Sequence, residues 1–189
     1  MIYEKIASRR TIRRYQKREV PKEILIRCVD AARLSPSAAN RQPLRYIIVN
    51  DEKLLKDVFS ALHYAGYLPK FPISEDTMPR AYIVMLLDKN ISNEASWDAG
   101  IASMSISMVA YDEGLGSCIL GAIDRDRLRG TLKIPENLEI LLVISLGYPN
   151  EISVTEKMKK GDVKYWLDEK GVLHVPKRDL EEITKWNSY

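Results

Sequence analysis

The chain has few of the side chains that carry out chemistry unaided. Among its 189 residues are two cysteines, Cys28 and Cys118, and two histidines, His63 and His174. Each cysteine stands alone in apolar sequence. That points to reduced, buried thiols and away from a disulfide framework or a thiolate metal site. The histidines lie far apart and form no His-Glu-x-x-His motif. A phosphate-cradling Walker loop and a serine nucleophile elbow are also missing. The nearest approach to a dinucleotide fingerprint, residues 114–119, has Ile119 where a third glycine is needed, and it follows a helical pattern instead of a strand. The longest apolar run, around residues 140–146, is far too short to span a bilayer. The first residues carry charge and lack the apolar stretch of a signal peptide, so a cytoplasmic location is expected. An excess of one charge is absent too. There are 29 basic and 26 acidic residues, interleaved except over residues 9–18, which argues against nucleic acid as a partner and for a soluble protein that does not bind membranes. An enzyme with this inventory would draw its chemistry from a bound cofactor.

What is present is enough to build one domain. Apolar residues make up 46% of the chain, and no repeat, low-complexity segment or linker divides residues 1–189. A helix is expected from Pro21 to about Leu34, with Ile24, Leu25, Cys28, Val29 and Ala32 at helical spacing. Residues 45–49 read as a strand. Asp51 can cap a helix running to about His63. Residues 66–79 hold three prolines and read as a loop, a candidate lid. Residues 81–87 form a continuous apolar strand, buried on both faces. Residues 94–113, apolar nearly all round, should be a central helix. A short strand at 117–120, a helix capped by Asp124 and a strong strand at 138–146 follow. Beyond about residue 150 the character changes to an arm. Residues 165–167 and 172–175 flank a turn as a hairpin, and a short helix starts near Asp179. The sum is an α+β domain, its mainly antiparallel mixed sheet flanked by helices.

Two short segments look unlike core. Ser8-Arg9-Arg10-Thr11-Ile12-Arg13-Arg14-Tyr15 gathers four guanidinium groups and two small hydroxyls. Guanidinium forks suit phosphate, and Thr11 can add a donor. A solvated basic segment is the competing reading. The other segment, Ser35-Pro36-Ser37-Ala38-Ala39-Asn40-Arg41-Gln42-Pro43, is a small polar loop between a helix and a strand.

Taken together with Asp98-Ala99-Gly100-Ile101-Ala102, with Gly114-Leu115-Gly116-Ser117-Cys118-Ile119-Leu120-Gly121, and with Gly147-Tyr148-Pro149, these segments resemble the signature of the nitroreductase family, in matching order over nearly the whole chain. The resemblance implies a tightly bound FMN held between two subunits. Arg9, Arg10 and Thr11 match positions holding the FMN phosphate and ribityl chain, and Arg13 a cation at the pyrimidine edge. Pro36, Ser37, Ala38 and Asn40 match a loop reaching the partner's flavin. Leu120, Gly121 and Ala122 match a segment whose backbone points at flavin N5, with no catalytic side chain. Lys177 and Arg178 resemble C-terminal phosphate-binding cations, though the family separates its pair by one residue. Ile119 replaces the family's tryptophan, and the mid-chain lid is short. Tyr64, Tyr67 and Phe71 could stack over a flavin or pack in an interface.

The implied activity is an FMN-dependent NAD(P)H oxidoreductase. It would work by ping-pong kinetics and pass hydride through flavin N5 to a small acceptor such as a nitroaromatic or quinone. The implied assembly is a homodimer with a C-terminal arm, about residues 163–175, exchanged between subunits. The alternatives are a flavin-dependent reductive dehalogenase or ene-reductase, a non-catalytic FMN carrier and, in another class, a basic nucleic-acid-binding module.

Overall fold

The computed structural model describes residues 1–68 and 71–189. Of the loop expected as a lid, Pro69 and Lys70 lie outside the described residues. The elements in chain order are α1 (Ile2–Ser8), α2 (Lys22–Arg33), β1 (Leu44–Val49), α3 (Glu52–Ser60), β2 (Ala81–Asp88), α4 (Ser96–Asp112), β3 (Gly116–Leu120), α5 (Arg125–Leu132), β4 (Leu138–Gly147), β5 (Ser153–Lys157), β6 (Trp166–Leu167), β7 (Leu173–Lys177) and α6 (Leu180–Ile183).

The central sheet has the order β1-β2-β4-β3 and is antiparallel throughout. Alternation along β2 divides its side chains between two layers. Tyr82, Val84 and Leu86 face α3 and α5, together with Leu55, Val58 and Leu128. Ala81, Ile83 and Met85 face α2 and α4, together with Leu25, Cys28, Ala102 and Ile106. Helices therefore cover both faces, which is why β2 reads as unbroken apolar sequence. A bulge where β2 crosses from Met85 to Leu86 resets the register, so Ile140 and Val143 of β4 share a layer despite their odd spacing. The expected caps are in place. Asp51 accepts from the N–H groups of Lys53 and Leu54 at 2.9 and 3.2 Å, and Asp124 from Arg127 N–H at 3.1 Å.

The arm forms a second sheet, β5-β7-β6. The expected hairpin is there, with Trp166 opposite His174 and Leu167 opposite Leu173. Sequence reading missed β5, which joins it in parallel, and α1, which buries none of its residues. Within one chain the hairpin pairs with β5 and with neither edge of the central sheet. Among the described residues, no helix is long and apolar enough to cross a membrane.

Candidate functional site

The basic segment lies along the β3 edge of the central sheet. Thr11 forms a parallel bridge with Ser117, and Ile12 N–H donates to Ser117 O at 3.0 Å. Tyr15, fully buried, anchors the far end. Its hydroxyl donates within a cluster of acceptors made by Ile12 O, Ser145 O and Ser145 Oγ, the last at 2.9 Å. The approach is close enough to require two glycines. A Cβ on Gly116 would fall 2.6 Å from the Ile12 side chain, and one on Gly147 would fall 2.8 Å from the Tyr15 ring.

The four arginines divide by role. Arg10 turns back and donates to the carbonyls of Ser8 and Ala7, capping the C-terminus of α1. Arg14 pairs with Glu151 at 3.0 Å and donates to Gly171 O at 3.2 Å, with Phe71 beneath its guanidinium. The Glu151 side chain is fully buried and also accepts from the backbone N–H of Arg13. Arg9 and Arg13 are different. Both are half-buried, and the Nε of each is buried with no hydrogen-bond partner among the described residues. The Arg13 guanidinium lies 4.9 Å from the centre of the Tyr165 ring. Burial, with Arg10 adding repulsion, lowers the Arg9 pKa from its usual range. Buried guanidinium donors left without acceptors call for an anionic ligand, because a polar group taken from water otherwise carries an uncompensated cost. These residues fit a cofactor phosphate or an electron-rich ring edge.

The segment 120–122 continues from the same edge strand. Leu120 is buried at the end of β3, and Gly121 and Ala122 are exposed beyond it. A Cβ on Gly121 would meet only Leu142, at an ordinary 3.7 Å. Nothing in the chain's own packing demands glycine there. Cys118, one turn of the pleat away, is buried beneath the arginines, and burial pushes its thiol up to about 11. Cys28 is pushed up to about 12 by the same cause. Both thiols are free, as expected.

The loop 36–43 sits elsewhere. It leads into β1, at the opposite edge of the sheet, and Pro43 O accepts from Asp88 N–H at 2.9 Å. Asp88 pairs with Leu138, the first residue of β4, whereas Ser117 beside Thr11 pairs with Leu146 near its other end. The loop and the arginines are thus at opposite edges and opposite ends of the central sheet, three strand spacings of about 4.8 Å apart in the sheet direction alone. Within the loop, Ser37 Oγ donates to Asp98 and accepts from Gln42 N–H at 2.9 Å. Residues 38–42 are exposed, and Ala39, Asn40 and Gln42 have φ of 49°, 51° and 51°.

Lys177 ends β7 and Arg178 follows it, away from the Gly171 turn that meets Arg14, and among the described residues neither side chain makes a hydrogen bond or ion pair with residues 9–13. Arg178 is paired with Glu182; Lys177 is exposed and has no carboxylate partner among the described residues. Of the three undecided aromatics, Tyr64 is core. It stacks on Phe59 at 5.5 Å, and its buried hydroxyl has no partner among the described residues. Tyr67 is exposed against Tyr165, ring centres 5.0 Å apart, and Phe71 lies under Arg14.

Sequence reading missed Glu151 and gave no role to Arg14 or Asp98, although both stand in the quoted segments. Glu151 and Arg14 meet across 137 positions, which no local pattern reveals. Asp98 does carry a signal, as an acid within an otherwise apolar helical stretch.

A stripe on α4 is also uncovered. Trp97 and Ile101 are 80% and 42% exposed, and Met104 and Met108 are half-buried, all at helical spacing. Isolated exposed apolar residues are ordinary; a row of them along a central helix marks an interaction face.

Known proteins share this arrangement. The sequence profile of the nitroreductase family matches residues 6–148. The chain is 35% identical over 154 residues, 77% of its length and 84% of the relative's, to an Archaeoglobus fulgidus protein named NADH dehydrogenase/NAD(P)H nitroreductase. It is 26% identical to an iodotyrosine deiodinase of Thermotoga neapolitana, covering 80% of this chain and 90% of that one. Among solved structures, an FMN-dependent nitroreductase from Clostridium difficile R20291 superposes with a TM-score of 0.69 at 26% identity, over 100% of both chains. A profile match over most of the chain, the shared fold and the order of the motifs agree: this chain is an oxidoreductase of the nitroreductase family.

Proposed function

We propose that the protein is an FMN-dependent NAD(P)H oxidoreductase that works as a homodimer. The observation carrying this reading is the pair of buried, unpartnered Nε groups on Arg9 and Arg13, set along the edge strand that ends at Leu120-Gly121. Bound FMN would supply two-electron chemistry, so that hydride could pass from NAD(P)H to a second substrate in a ping-pong cycle. The chain's own residues bind, orient and shield. Arg9 and Thr11 would hold the phosphate and ribityl end. Arg13, its backbone N–H held by Glu151 and its guanidinium against the Tyr165 ring, would present a cation to the pyrimidine edge, where negative charge on a reduced ring is stabilised. Gly121 and Ala122 would let the main chain approach the ring face. Arg10 supports this segment through the α1 cap.

A single protomer leaves the 36–43 loop at the wrong edge to reach these arginines. A second copy meeting the first through the α4 stripe supplies the missing loop, which makes dimerisation a condition of the site. The arm would then lie against the partner. Lys177 is the better phosphate cation of the adjacent pair, because Arg178 is occupied by Glu182. The likeness to an iodotyrosine deiodinase supports a second reading, reductive dehalogenation at the same site, with a different acceptor. Arg9, Arg10, Arg13 and Arg14 are half-buried, not displayed as a basic face, which disfavours a nucleic-acid module. A cytoplasmic location fits this activity.

The test is turnover by the purified, FMN-reconstituted protein. NADH or NADPH oxidation should accelerate with a nitroaromatic, a quinone or a halogenated phenol. Absence of oxidation with every acceptor, from protein that holds FMN, would leave an FMN carrier.

A further inference from the structure

We infer that Asp98 is a positioning residue for the flavin site, its carboxylate fixing the conformation in which residues 37–42 meet the flavin. The inference rests on the FMN reading above. Asp98 stands in the first turn of α4 and is 5% exposed. Among the described residues it has no cationic partner. Its charge is instead met by the loop: one oxygen accepts from Ser37 Oγ–H and the other from Ala38 N–H at 3.0 Å. Ser37 Oγ in turn accepts from Gln42 N–H at 2.9 Å, and Asn40 N–H donates to Ser37 O at 2.9 Å. The loop thus closes into a ring of hydrogen bonds nailed to one buried carboxylate.

The backbone inside that ring explains why a nail is needed. Ala39, Asn40 and Gln42 all lie in the left-handed region, where a side chain crowds the following carbonyl. A loop that merely joined α2 to β1 would use glycine. Three such residues in four persist only where the surroundings over-determine them, and strain of this kind gathers at ligand-binding segments. A buried carboxylate is likewise costly unless bonded. Each therefore holds the other: the loop satisfies the charge, and the charge-assisted bonds hold the loop. Beside it lies a cavity of about 290 Å³, lined in part by Pro36, Tyr46, Asp98 and Ala102. The carboxylate's field is felt at Tyr46, whose hydroxyl burial and Asp98 push up to about 12.

Asp98→Ala, Asp98→Asn, Ser37→Ala and the double variant Ser37→Ala/Asp98→Ala provide the test, with Leu128→Val on the opposite face of the sheet as a packing control. FMN dissociation constants are measured by titrating flavin-free protein. Asp98→Ala should weaken FMN about tenfold or more, the loss of one charge-assisted contact at the site. Asp98→Asn, which can still accept from Ala38 N–H, should fall between. The double variant should bind within about twofold of Asp98→Ala, because both changes break the same link. Leu128→Val should lower the unfolding temperature and leave FMN affinity unchanged. Without flavin, cleavage within residues 37–42 by a protease of broad specificity should be faster in Asp98→Ala and Asp98→Asn than in wild type. Wild-type FMN affinity in Asp98→Asn, with unchanged cleavage, would overturn the inference and leave the FMN reading standing. Failure of the wild type to bind FMN would overturn that reading, and the cleavage rates alone would then decide whether Asp98 holds the loop.

Discussion

Replacing Arg9 by glutamine separates a ligand-binding arginine from a structural one, because the two roles give opposite signs. In the protein without flavin, Arg9 has no ion pair among the described residues, its Nε is buried without a partner, and its charge is disfavoured by burial and by Arg10. Glutamine keeps a polar end and removes that burden. The flavin-free protein should lose no more than about 0.5 kcal/mol and should tend toward greater stability. At this chain length that is roughly 1–2 °C in Tm. The FMN complex loses hydrogen bonds from a cation to a phosphate, about 1.5–3 kcal/mol, or roughly 10- to 150-fold in the dissociation constant. Scanning fluorimetry of the flavin-free protein and fluorescence titration with FMN measure the two halves. A variant that unfolds 5 °C or more below wild type yet binds FMN equally well would refute the reasoning, because it would make Arg9 a structural residue.

Other outcomes follow from the same packing. Tyr15→Phe removes the hydroxyl that ties residues 12–15 to β4 and leaves Ser145 Oγ short of a partner; urea unfolding should show a loss of about 1–3 kcal/mol. Trp97→Asp with Ile101→Asp places charge on the uncovered α4 stripe, and sedimentation should find monomers that have lost FMN along with the partner loop. Cys28 and Cys118 should resist a thiol reagent in the native state and react in denaturant. Their folded pKa values, about 12 and about 11, lie above the value of an exposed thiol, and burial raises Tyr15, Tyr64 and Tyr82 as well. Between the unfolded and folded pKa values the unfolded chain binds fewer protons than the native one, so stability must fall as pH rises. Unfolding midpoints should hold up to about pH 8.5 and decline above it, each thiol contributing up to about 1.4 kcal/mol per pH unit; a flat profile to pH 11 would contradict the burial described.

Much of this architecture could be read directly from the residues, and the exceptions have physical causes. Buried elements announce themselves by period: β2 by its unbroken apolar run, α3 and α5 by their capping aspartates. α1 and β5 do not. α1 buries none of its residues, so no face selects a pattern, and Ser153–Lys157 is a polar strand defined by its pairing with β7. The site shows the same division. Order and spacing place Arg9 to Arg13 and the 36–43 loop in one motif set, but the split of labour among the arginines is a tertiary fact. Arg10 reaches back three residues to a helix end and Arg14 reaches Glu151, so that of these four arginines Arg9 and Arg13 keep buried Nε groups without a partner among the described residues. Sheet order puts the loop and the arginines apart within the chain, because β1 and β3 are at opposite edges. Arg178 pairs with Glu182, a contact one helical turn away that could have been anticipated from i,i+4 spacing.

The most direct test of the flavin site is an equilibrium titration of flavin-free protein with FMN, followed by the cofactor's own absorbance and fluorescence. Saturation at one FMN per chain, lost together in Arg9→Gln/Arg13→Gln, is the result expected here. FMN that remains unbound at micromolar wild-type protein would contradict it.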